Sequence, residues 1–423
     1  MRKLYSLAMY LGLPLILAHL ALRGLRDRDY LKRWGERFGR FKPPETTGGI
    51  VVHAASVGEV NAAAPLISAL GERFPGLAMT ITTFTPTGSA RAKTLAGERS
   101  AHVYAPLDIP GAVRRFFGRL EPRLLVVMET EIWPNLYAEA ARRDIPILLA
   151  NARMSERSET GYRRWGKLVA DALSRVSHVA AQGPADAERF VSRGQDPARI
   201  EVAGNLKFDI TLPDELAAQG MALRGAWGPE RPVLLAGSTH RSDEQAVLAA
   251  FRQVLEKHPN ALLILVPRHP ERFGEAAQLA REAGLAVEMF SDREVCSPAA
   301  QCFVIDAMGE LLRFYACCDV AVVGGTFADI GGHNPLEPAA LGKPVIVGPH
   351  TYHFGEITGH LLDAGALLQL EEGAVVGDEV IRLFGDYSAR QAMGRAALAA
   401  VEDGRGAVAR NLAAAVRLLG PEK

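Results

Sequence analysis

The sequence predicts an α/β protein in which two wound, parallel-sheet domains follow an N-terminal hydrophobic helix. Three observations support this prediction. The chain has 423 residues, which is room for two or three domains at roughly 150 residues each. After Gly48, short β-branched runs alternate with helical stretches, a pattern typical of parallel sheets covered by helices. Residues 212–231, rich in proline, glycine and alanine, interrupt the alternation, and a second series starts after them.

The first 40 residues predict a membrane anchor and a basic collar. From Leu4 to Leu22 the chain carries 19 residues without a formal charge, which nearly spans a bilayer. Arg2 and Lys3 precede this stretch, and a larger group of cations follows it: Arg23, Arg26, Arg28, Lys32, Arg33, Arg37 and Arg40. This asymmetry predicts a cytoplasmic C-terminal part and an attraction to anionic lipids. The alternative is a helix that packs on the first domain or lies in the membrane interface.

The first domain is expected to cover residues 41–211 and the second residues 212–423. Strands of the first domain are predicted at 50–54, 79–83, 124–128, 146–150 and 179–182, with helical segments such as 60–74 and 132–143 between them. Strands of the second are predicted at 233–236, 262–266, 303–306, 320–324 and 344–348. The final helices, within 379–419, are placed to reach back across a cleft. Ligands of such sheets bind outside the carboxyl ends of the strands.

Composition excludes several classes of protein. Lys+Arg and Asp+Glu both number 48, so nothing in the net charge favours a nucleic-acid partner. The four cysteines form no C-x-x-C pair and are interpreted as reduced, buried thiols. The sequence lacks a P-loop, a strand-linked G-x-G-x-x-G, H-E-x-x-H and G-x-S-x-G. Asp27-Arg28-Asp29 matches a D-x-D metal signature, but it lies in the basic collar and is interpreted as solvated charge. No metal or cofactor is therefore predicted.

A glycine-rich segment of the second domain has features of a phosphate-binding site. It runs from Gly324 to Pro344 after a predicted buried strand. Its glycines permit close approach of a ligand, and a helix is expected to begin with Asn334 as N-cap, Pro335 at the first position and Glu337 at the third. Free N–H groups at such a start attract phosphate. The alternative is a structural Asn-x-x-Glu capping box, which is compatible with a Glu337 that also binds ribose hydroxyls.

Other strand ends of the second domain supply further candidates. Arg268 lies where a strand ends, and its guanidinium can pair with phosphate through two hydrogen bonds. The alternative for Arg268 is a surface salt bridge with Glu271, and Arg272 is expected to be solvated. The turn Met308-Gly309-Glu310 can hold a base edge, although an ordinary turn before a helix is equally consistent. Gly237-Ser238-Thr239-His240 gives a weaker signal of the same kind.

In the first domain, polar side chains also follow predicted strands. Glu59 lies where His53-Ala54-Ala55-Ser56-Val57-Gly58 leads into a helix, and a glutamate there can act as a general base. The alternative is a first-turn carboxylate that interacts with the helix dipole. Glu129 follows another strand, and Lys207 is suited to offset developing phosphate charge unless it is an ordinary surface lysine.

Several of these motifs, in this order, resemble one family, the lipid A 3-deoxy-D-manno-octulosonic acid (Kdo) transferases. The resemblance covers nearly the whole chain and rests on Ser56-Val57-Gly58-Glu59, Glu129-Thr130-Glu131-Ile132-Trp133-Pro134-Asn135, Asn151-Ala152-Arg153-Met154-Ser155, Pro267-Arg268-His269-Pro270-Glu271-Arg272 and Gly331-Gly332-His333-Asn334-Pro335-Leu336-Glu337. It implies a GT-B fold, in which two Rossmann-like domains face a central cleft, and inverting transfer of Kdo from CMP-Kdo to the tetraacylated lipid A precursor (lipid IVA) at the cytoplasmic face of the inner membrane.

The resemblance also implies roles for individual residues. Glu59 corresponds to the general base, with Glu129 and Lys207 as supports of the transition state. The CMP-contacting residues would be Pro267, Arg268, Met308, Gly309, Glu310, Asn334, Pro335, Leu336 and Glu337. Two alternatives stay open from the sequence. One is another GT-B nucleotide-sugar enzyme, a UDP-sugar transferase or an epimerase, and the other is a membrane-tethered binding protein without catalysis.

Overall fold

The computed structural model describes residues 1–95 and 100–420, and the chain divides into two compact units. The first unit comprises residues 1–209 together with the segment from residue 404 onward, and the second comprises residues 210–403. Each unit is an α/β layer structure, as predicted.

Within its described residues, the first unit contains seven strands: β1 (Ile50–His53), β2 (Met79–Thr83), β3 (Ser100–Tyr104), β4 (Leu124–Met128), β5 (Ile147–Ala152), β6 (His178–Ala181) and β7 (Ile200–Val202). They form a parallel sheet in the order β3-β2-β1-β4-β5-β6-β7. The residues of β1, β2, β4 and β5 are all buried, because helices cover both faces of a parallel sheet.

The helices of the first unit that precede its last segment are α1 (Arg2–Arg26), α2 (Trp34–Arg37), α3 (Val57–Arg73), α4 (Pro86–Leu95), α5 (Pro110–Leu120), α6 (Pro134–Arg142), α7 (Glu156–Arg163), α8 (Gly166–Leu173) and α9 (Pro184–Ser192). Ser56 caps α3 through its hydroxyl, whereas α5, α6 and α9 each begin with a proline, whose fixed φ suits the first turn of a helix.

The second unit has the same layered plan. Its strands are β8 (Val233–Thr239), β9 (Leu262–Pro267), β10 (Val287–Met289), β11 (Cys302–Val304), β12 (Val320–Val323), β13 (Val345–Val347) and β14 (Leu367–Gln369), and their parallel order is β10-β11-β9-β8-β12-β13-β14. The later helices are α10 (Leu216–Trp227), α11 (Arg241–Lys257), α12 (Phe273–Glu282), α13 (Leu311–Cys317), α14 (Leu336–Ala340), α15 (Gly355–Asp363), α16 (Val376–Gly385), α17 (Tyr387–Gly404) and α18 (Ala407–Leu419).

Both sheets have a point at which the strand order reverses direction. In the first sheet this point lies between β1 and β4, and in the second it lies between β8 and β12. The loops that leave two such strands diverge to opposite faces and open a crevice, where ligands of wound sheets bind. The segments that begin at Ala54, Glu129, His240 and Gly324 therefore lie at the two crevices.

The last helix, α18, belongs to the first unit, although the sequence-based bounds place it in the second. The buried Asn411 side chain accepts a hydrogen bond from the Asn151 backbone at 3.2 Å. Asp209 accepts hydrogen bonds from Gly406 N at 2.6 Å and Val408 N at 2.5 Å. These contacts between residues distant in sequence fix α18 on the sheet of the first unit.

Helix α1 packs along one side of the first unit. Its Met9, Leu13, Ile16 and Leu17 contact a small cluster of Leu107, Ile109 and Ala112. Within the described residues, α1 is the one helix that is long and apolar enough to cross a membrane.

Two cations of the predicted collar have structural roles instead of facing solvent. The guanidinium of Arg37 is buried, lies 4.3 Å from the centroid of the Tyr104 ring and donates to Phe84 O. Arg33 pairs with Glu36 at 2.7 Å and donates to Ser89. The collar available to lipid is therefore smaller than the sequence suggests. Asp27 accepts from Asp29 N at 3.0 Å and so caps the short helical turn that follows α1.

Candidate active site

Glu59 lies in the first turn of α3, at the crevice of the first sheet. Its carboxylate accepts hydrogen bonds from Ala55 N at 2.8 Å and from the Ser56 hydroxyl at 3.0 Å. Burial, together with the nearby carboxylates of Glu131 and Glu129, raises the pKa of Glu59 to about 7, although the hydrogen bonds from Ala55 and Ser56 act in the opposite direction. The two interpretations of Glu59, a helix-start carboxylate and a general base, are therefore compatible. The hydrogen bonds at the start of the helix also orient a carboxylate that titrates near neutral pH.

Two more carboxylates follow β4. Glu129 has a positive φ of 56°, a conformation that turns the chain sharply out of the sheet. Burial raises the pKa of Glu129, while the positive charges of Lys207 and Arg153 lower it. Glu131 accepts a hydrogen bond from the Trp133 indole at 2.6 Å, and burial raises its pKa as well. The site thus contains a third acidic residue, Glu131, that the sequence analysis did not select.

Buried amides position Lys207. It lies in the short turn Leu206–Phe208, where Asn205 Oδ1 accepts from Lys207 N at 3.1 Å. Asn151 has a φ of 51°, and its side chain accepts from Leu206 N at 2.9 Å. Three side-chain amides of residues far apart in sequence therefore hold this turn, since Gln182 also bonds to both Asn151 O and Asn205 Nδ2. The positive charge of Lys207 lowers the pKa of Glu129, and the supporting roles that the resemblance implies for these two residues stay predictions.

In the second unit, a buried carboxylate organises the glycine-rich loop after β12. Asp243 accepts hydrogen bonds from the backbone N–H groups of Gly325 at 2.7 Å, Phe327 at 2.9 Å and Ala328 at 3.3 Å. It also accepts from His240 N at 2.9 Å. These three loop donors are therefore already occupied, whereas the N–H groups predicted to attract a phosphate belong to the helix start near Asn334, and that role stays a prediction. Sequence reasoning missed Asp243, because nothing near it in sequence signals this distant loop.

Histidines at the same crevice pack together. The rings of His240 and His333 stack with a 7° angle between their planes, and their Nε2 atoms are 3.0 Å apart. His269 meets the His240 ring edge-on, with centroids 5.4 Å apart. Burial lowers the pKa of His333 to about 4 and also lowers the pKa of His240. Both rings are therefore neutral near pH 7, and one donates to the other.

Arg268 follows β9 at this crevice, and its side chain is exposed. Burial raises the pKa of Glu337, and the positive charge of Arg268 lowers it by a smaller amount. Among the described ion pairs, none joins Arg268 to Glu271, so the guanidinium is available to an anion. Arg272, in contrast, is not solvated as predicted: it pairs with the buried Glu244 and, at 2.7 Å, with Glu275.

The Asn334–Glu337 segment begins its helix later than predicted. Helix α14 starts at Leu336, so Pro335 precedes the helix instead of occupying its first position. The Asn334 side chain accepts from Leu336 N at 3.1 Å and donates to Glu337 at 3.3 Å. The Asn334 side chain therefore caps the helix through Leu336 N. The Glu337 carboxylate bonds to the Asn334 side chain, whereas in a capping box it would bond to the Asn334 backbone N–H.

The third segment predicted to contact CMP, Met308-Gly309-Glu310, forms a turn after β11. Gly309 has a φ of 94°, which a residue with a side chain adopts only with strain. Met308 is 58% exposed, and Glu310 pairs with Arg313 at 3.4 Å just before α13. The turn therefore presents backbone and a flexible apolar side chain at the carboxyl edge of the second sheet.

Two tandem wound α/β domains, each built on a parallel seven-stranded sheet, are the arrangement of the GT-B fold. A glycosyltransferase from Rickettsia africae matches with a TM-score of 0.56 and 11% identity over 89% of this chain and 100% of its own. The UDP-GlcNAc 2-epimerase from Neisseria meningitidis matches with a TM-score of 0.55 and 13% identity over 86% of this chain and 100% of its own. These likenesses establish the predicted fold.

Sequence comparison identifies the family. Residues 32–210 match the family model of 3-deoxy-D-manno-octulosonic-acid transferase (kdotransferase). The 3-deoxy-D-manno-octulosonic acid transferase of Haemophilus influenzae is 39% identical over 97% of both chains, and that of Bordetella pertussis is 37% identical over 95% of this chain and 98% of its own. This chain therefore belongs to the Kdo transferase family and is a glycosyltransferase that transfers Kdo. Membership confirms the resemblance and favours Kdo transfer over another nucleotide-sugar enzyme and over a binding protein without catalysis.

Proposed function

We propose that this chain transfers Kdo from CMP-Kdo to a hydroxyl of the tetraacylated lipid A precursor, lipid IVA, in lipopolysaccharide biosynthesis at the cytoplasmic face of the inner membrane. The observation that carries the catalytic part is the environment of Glu59. Its carboxylate is held by two hydrogen bonds, and its pKa is raised to about 7. A base whose pKa lies near the working pH is the most effective at accepting a proton from a hydroxyl.

The proposed reaction is a single displacement. Glu59 takes the proton of the acceptor hydroxyl as its oxygen forms a bond to the anomeric carbon of Kdo. The bond between that carbon and the phosphate oxygen breaks, its electron pair leaves with CMP, and the anomeric centre inverts. Glu129 and Lys207 support the transition state beside Glu59, where burial strengthens electrostatic interactions.

In the second unit, Arg268 is the proposed phosphate ligand, since its guanidinium is exposed and the loop amides are occupied by Asp243. Glu337 is suited to accept hydrogen bonds from ribose hydroxyls, and the exposed turn of Met308, Gly309 and Glu310 is the proposed contact for the base. Pro267, Asn334, Pro335 and Leu336 complete the proposed CMP contacts.

Membrane location is supported by α1, whose length and composition suit an anchor, and by the exposed cations that follow it. A lipid acceptor and a membrane-bound enzyme meet at the same surface, so the two proposals are consistent. Anionic lipids are the expected membrane partners.

Transfer assays test the proposal. Full-length protein in detergent is incubated with the tetraacyl acceptor and either CMP-Kdo or a UDP-sugar, and the acceptor mass is measured. We expect the acceptor mass to increase by one or more Kdo residues with CMP-Kdo and to stay unchanged with the UDP-sugar. Glu59→Gln should lose transfer by a factor of about 10² to 10⁴ while retaining CMP binding. Glu72→Gln is the matched control, because Glu72 is exposed on the same helix. No transfer by the wild-type protein would refute the donor and acceptor assignment.

A further inference from the structure

We infer that α1 lies in one leaflet of the membrane instead of crossing it, and that a basic pocket at its start binds the phosphate of an anionic phospholipid. This inference rests on the proposed membrane location. It goes beyond that location because it assigns an orientation to the helix and a lipid site to residues outside the transfer machinery.

The first step concerns the contacts of α1 with the first unit. Near its start, the Ser6 hydroxyl donates to Asn135 at 2.8 Å, the Tyr5 side chain hydrogen-bonds to Asp108, and Tyr10 Oη accepts from Gly111 N at 3.2 Å. Toward its end, Leu20 is buried. Residues 6 and 20 are separated by roughly 21 Å along a helix.

These contacts are incompatible with a span. A membrane-crossing helix would carry its first turns through a hydrocarbon core of roughly 30 Å and away from the domain on the cytoplasmic side. It would have to break the bonds to Asn135, Asp108 and Gly111, and the buried Asp108 carboxylate would lose its Tyr5 partner. A helix lying in the interface keeps every one of these contacts.

The second step concerns the opposite side of α1. Its exposed leucines are Leu4, Leu7, Leu11, Leu15, Leu22 and Leu25, each between 54% and 80% exposed. They recur at intervals of three, four or seven residues and so form one stripe along the helix. A helix that packs one side on protein and presents a continuous leucine stripe on the other is suited to an acyl-chain environment.

The third step concerns the pocket. A cavity of about 360 Å³ lies beside the first turns of α1 and is lined by Arg2, Lys3, Arg114 and Arg142, with Ser6 and the buried Asn135 among its polar lining residues. The one carboxylate of the lining, Glu139, already pairs with Arg142 at 2.5 Å and also with Arg143. The pocket is therefore positive, and the exposed Leu4 and Leu7 directly follow its lining residues Lys3 and Ser6 in the chain, which matches a lipid with an anionic head and apolar chains.

Vesicle binding tests the pocket. Full-length protein is mixed with phosphatidylcholine vesicles with or without phosphatidylglycerol, and the bound fraction is measured by flotation. Lys3→Gln/Arg114→Gln should weaken binding to the anionic vesicles by about thirtyfold and leave binding to neutral vesicles unchanged. Arg73→Gln/Arg123→Gln removes the same charge at exposed positions outside the pocket and should have less than about a threefold effect.

Equal losses in both double variants would overturn the pocket, because they would reflect net charge alone. In detergent, Lys3→Gln/Arg114→Gln should keep wild-type transfer and an unchanged KM for the lipid acceptor. A raised KM would instead assign the pocket to that acceptor, and competition by inorganic phosphate at constant ionic strength would assign it to the free anion. Transfer in detergent also separates failure of this inference from failure of the proposed function, which needs no bilayer in that assay.

Cysteine labelling tests the orientation. The four native cysteines are buried, so a membrane-impermeant maleimide reports on introduced thiols. Arg2→Cys and Arg26→Cys are placed separately in the full chain bound to sealed vesicles. Both should label from the side that holds the folded domains. Protection of Arg2→Cys together with labelling of Arg26→Cys would show that α1 spans the bilayer and would overturn the inference.

Discussion

Replacing Glu59 by glutamine should lower activity and, above neutral pH, increase stability. The pKa of Glu59 is raised from 4.5 to about 7, so the folded state binds its proton more tightly than the unfolded chain does. The stabilisation from that proton is therefore complete below pH 4.5 and is lost as the pH rises through 7. The shift corresponds to about 3 kcal/mol of cost for burying the charged carboxylate at alkaline pH.

Glutamine carries no charge, so it avoids this cost. Its NH₂ group replaces one of the two acceptors that Ala55 N and the Ser56 hydroxyl use, which costs about 1 kcal/mol at every pH. The net expectation is a variant about 2 kcal/mol more stable than the wild type near pH 8 and about 1 kcal/mol less stable near pH 4, where both states are largely protonated.

The assay is thermal unfolding of both full-length proteins in the same detergent at the two pH values. The difference between their midpoints should change sign between about pH 4 and about pH 8. A difference that stays constant across this range would refute the argument, because Glu59 would then carry no raised pKa in the folded state. Glu72→Gln should show no such change, since its side chain is exposed.

Three further substitutions test the second unit. Asp243→Asn replaces one of the two oxygens that accept from four backbone donors, so two of these donors lose their acceptor. We expect a loss of about 2 kcal/mol or more in unfolding free energy and a raised KM for CMP-Kdo, measured by thermal unfolding and initial rates. Arg268→Ala should weaken CMP binding by calorimetry at least about tenfold with an unchanged midpoint, whereas Glu271→Ala should alter neither. Gly324→Ala places a methyl group 2.3 Å from Ser238 O and should lower the yield of folded protein on size-exclusion chromatography.

The strands that the sequence did not predict are all at the edges of the two sheets. They are β3, β7, β10 and β14, and each pairs with a single neighbour at the end of its sheet. An inner strand of a parallel sheet is buried on both faces and appears as a run of apolar residues, whereas β7 and β10 contain no fully buried residue. The apolar pattern thus predicts the centre of each sheet, where the functional loops begin, better than its margins.

The candidate site divides in the same way. Glu59, Glu129 and Arg268 follow inner strands, so their positions could be predicted from strand ends. Asp243 could not, because its role depends on a loop more than 80 residues later in the chain. The same is true of Asn411, whose contact with Asn151 joins the end of the chain to the crevice of the first sheet.

Residues of the collar show a further limit of sequence patterns. A run of arginines after an apolar helix predicts charge at a membrane surface, but Arg33 and Arg37 turn inward. Arg37 stacks on Phe84 and Tyr104 and is 1% exposed. Guanidinium groups are weakly hydrated and stack on aromatic rings, so an arginine can serve a buried aromatic site where a lysine would not.

The most direct test of the central claim is the pH dependence of kcat/KM for Kdo transfer by the full-length protein at low CMP-Kdo. This parameter reports the ionisation of the free enzyme. With Glu59 as the base, kcat/KM should fall about tenfold per pH unit below pH 7, because the protonated carboxyl cannot accept the hydroxyl proton. A rate that stays flat down to pH 5 would contradict the account and exclude Glu59 as a base of raised pKa.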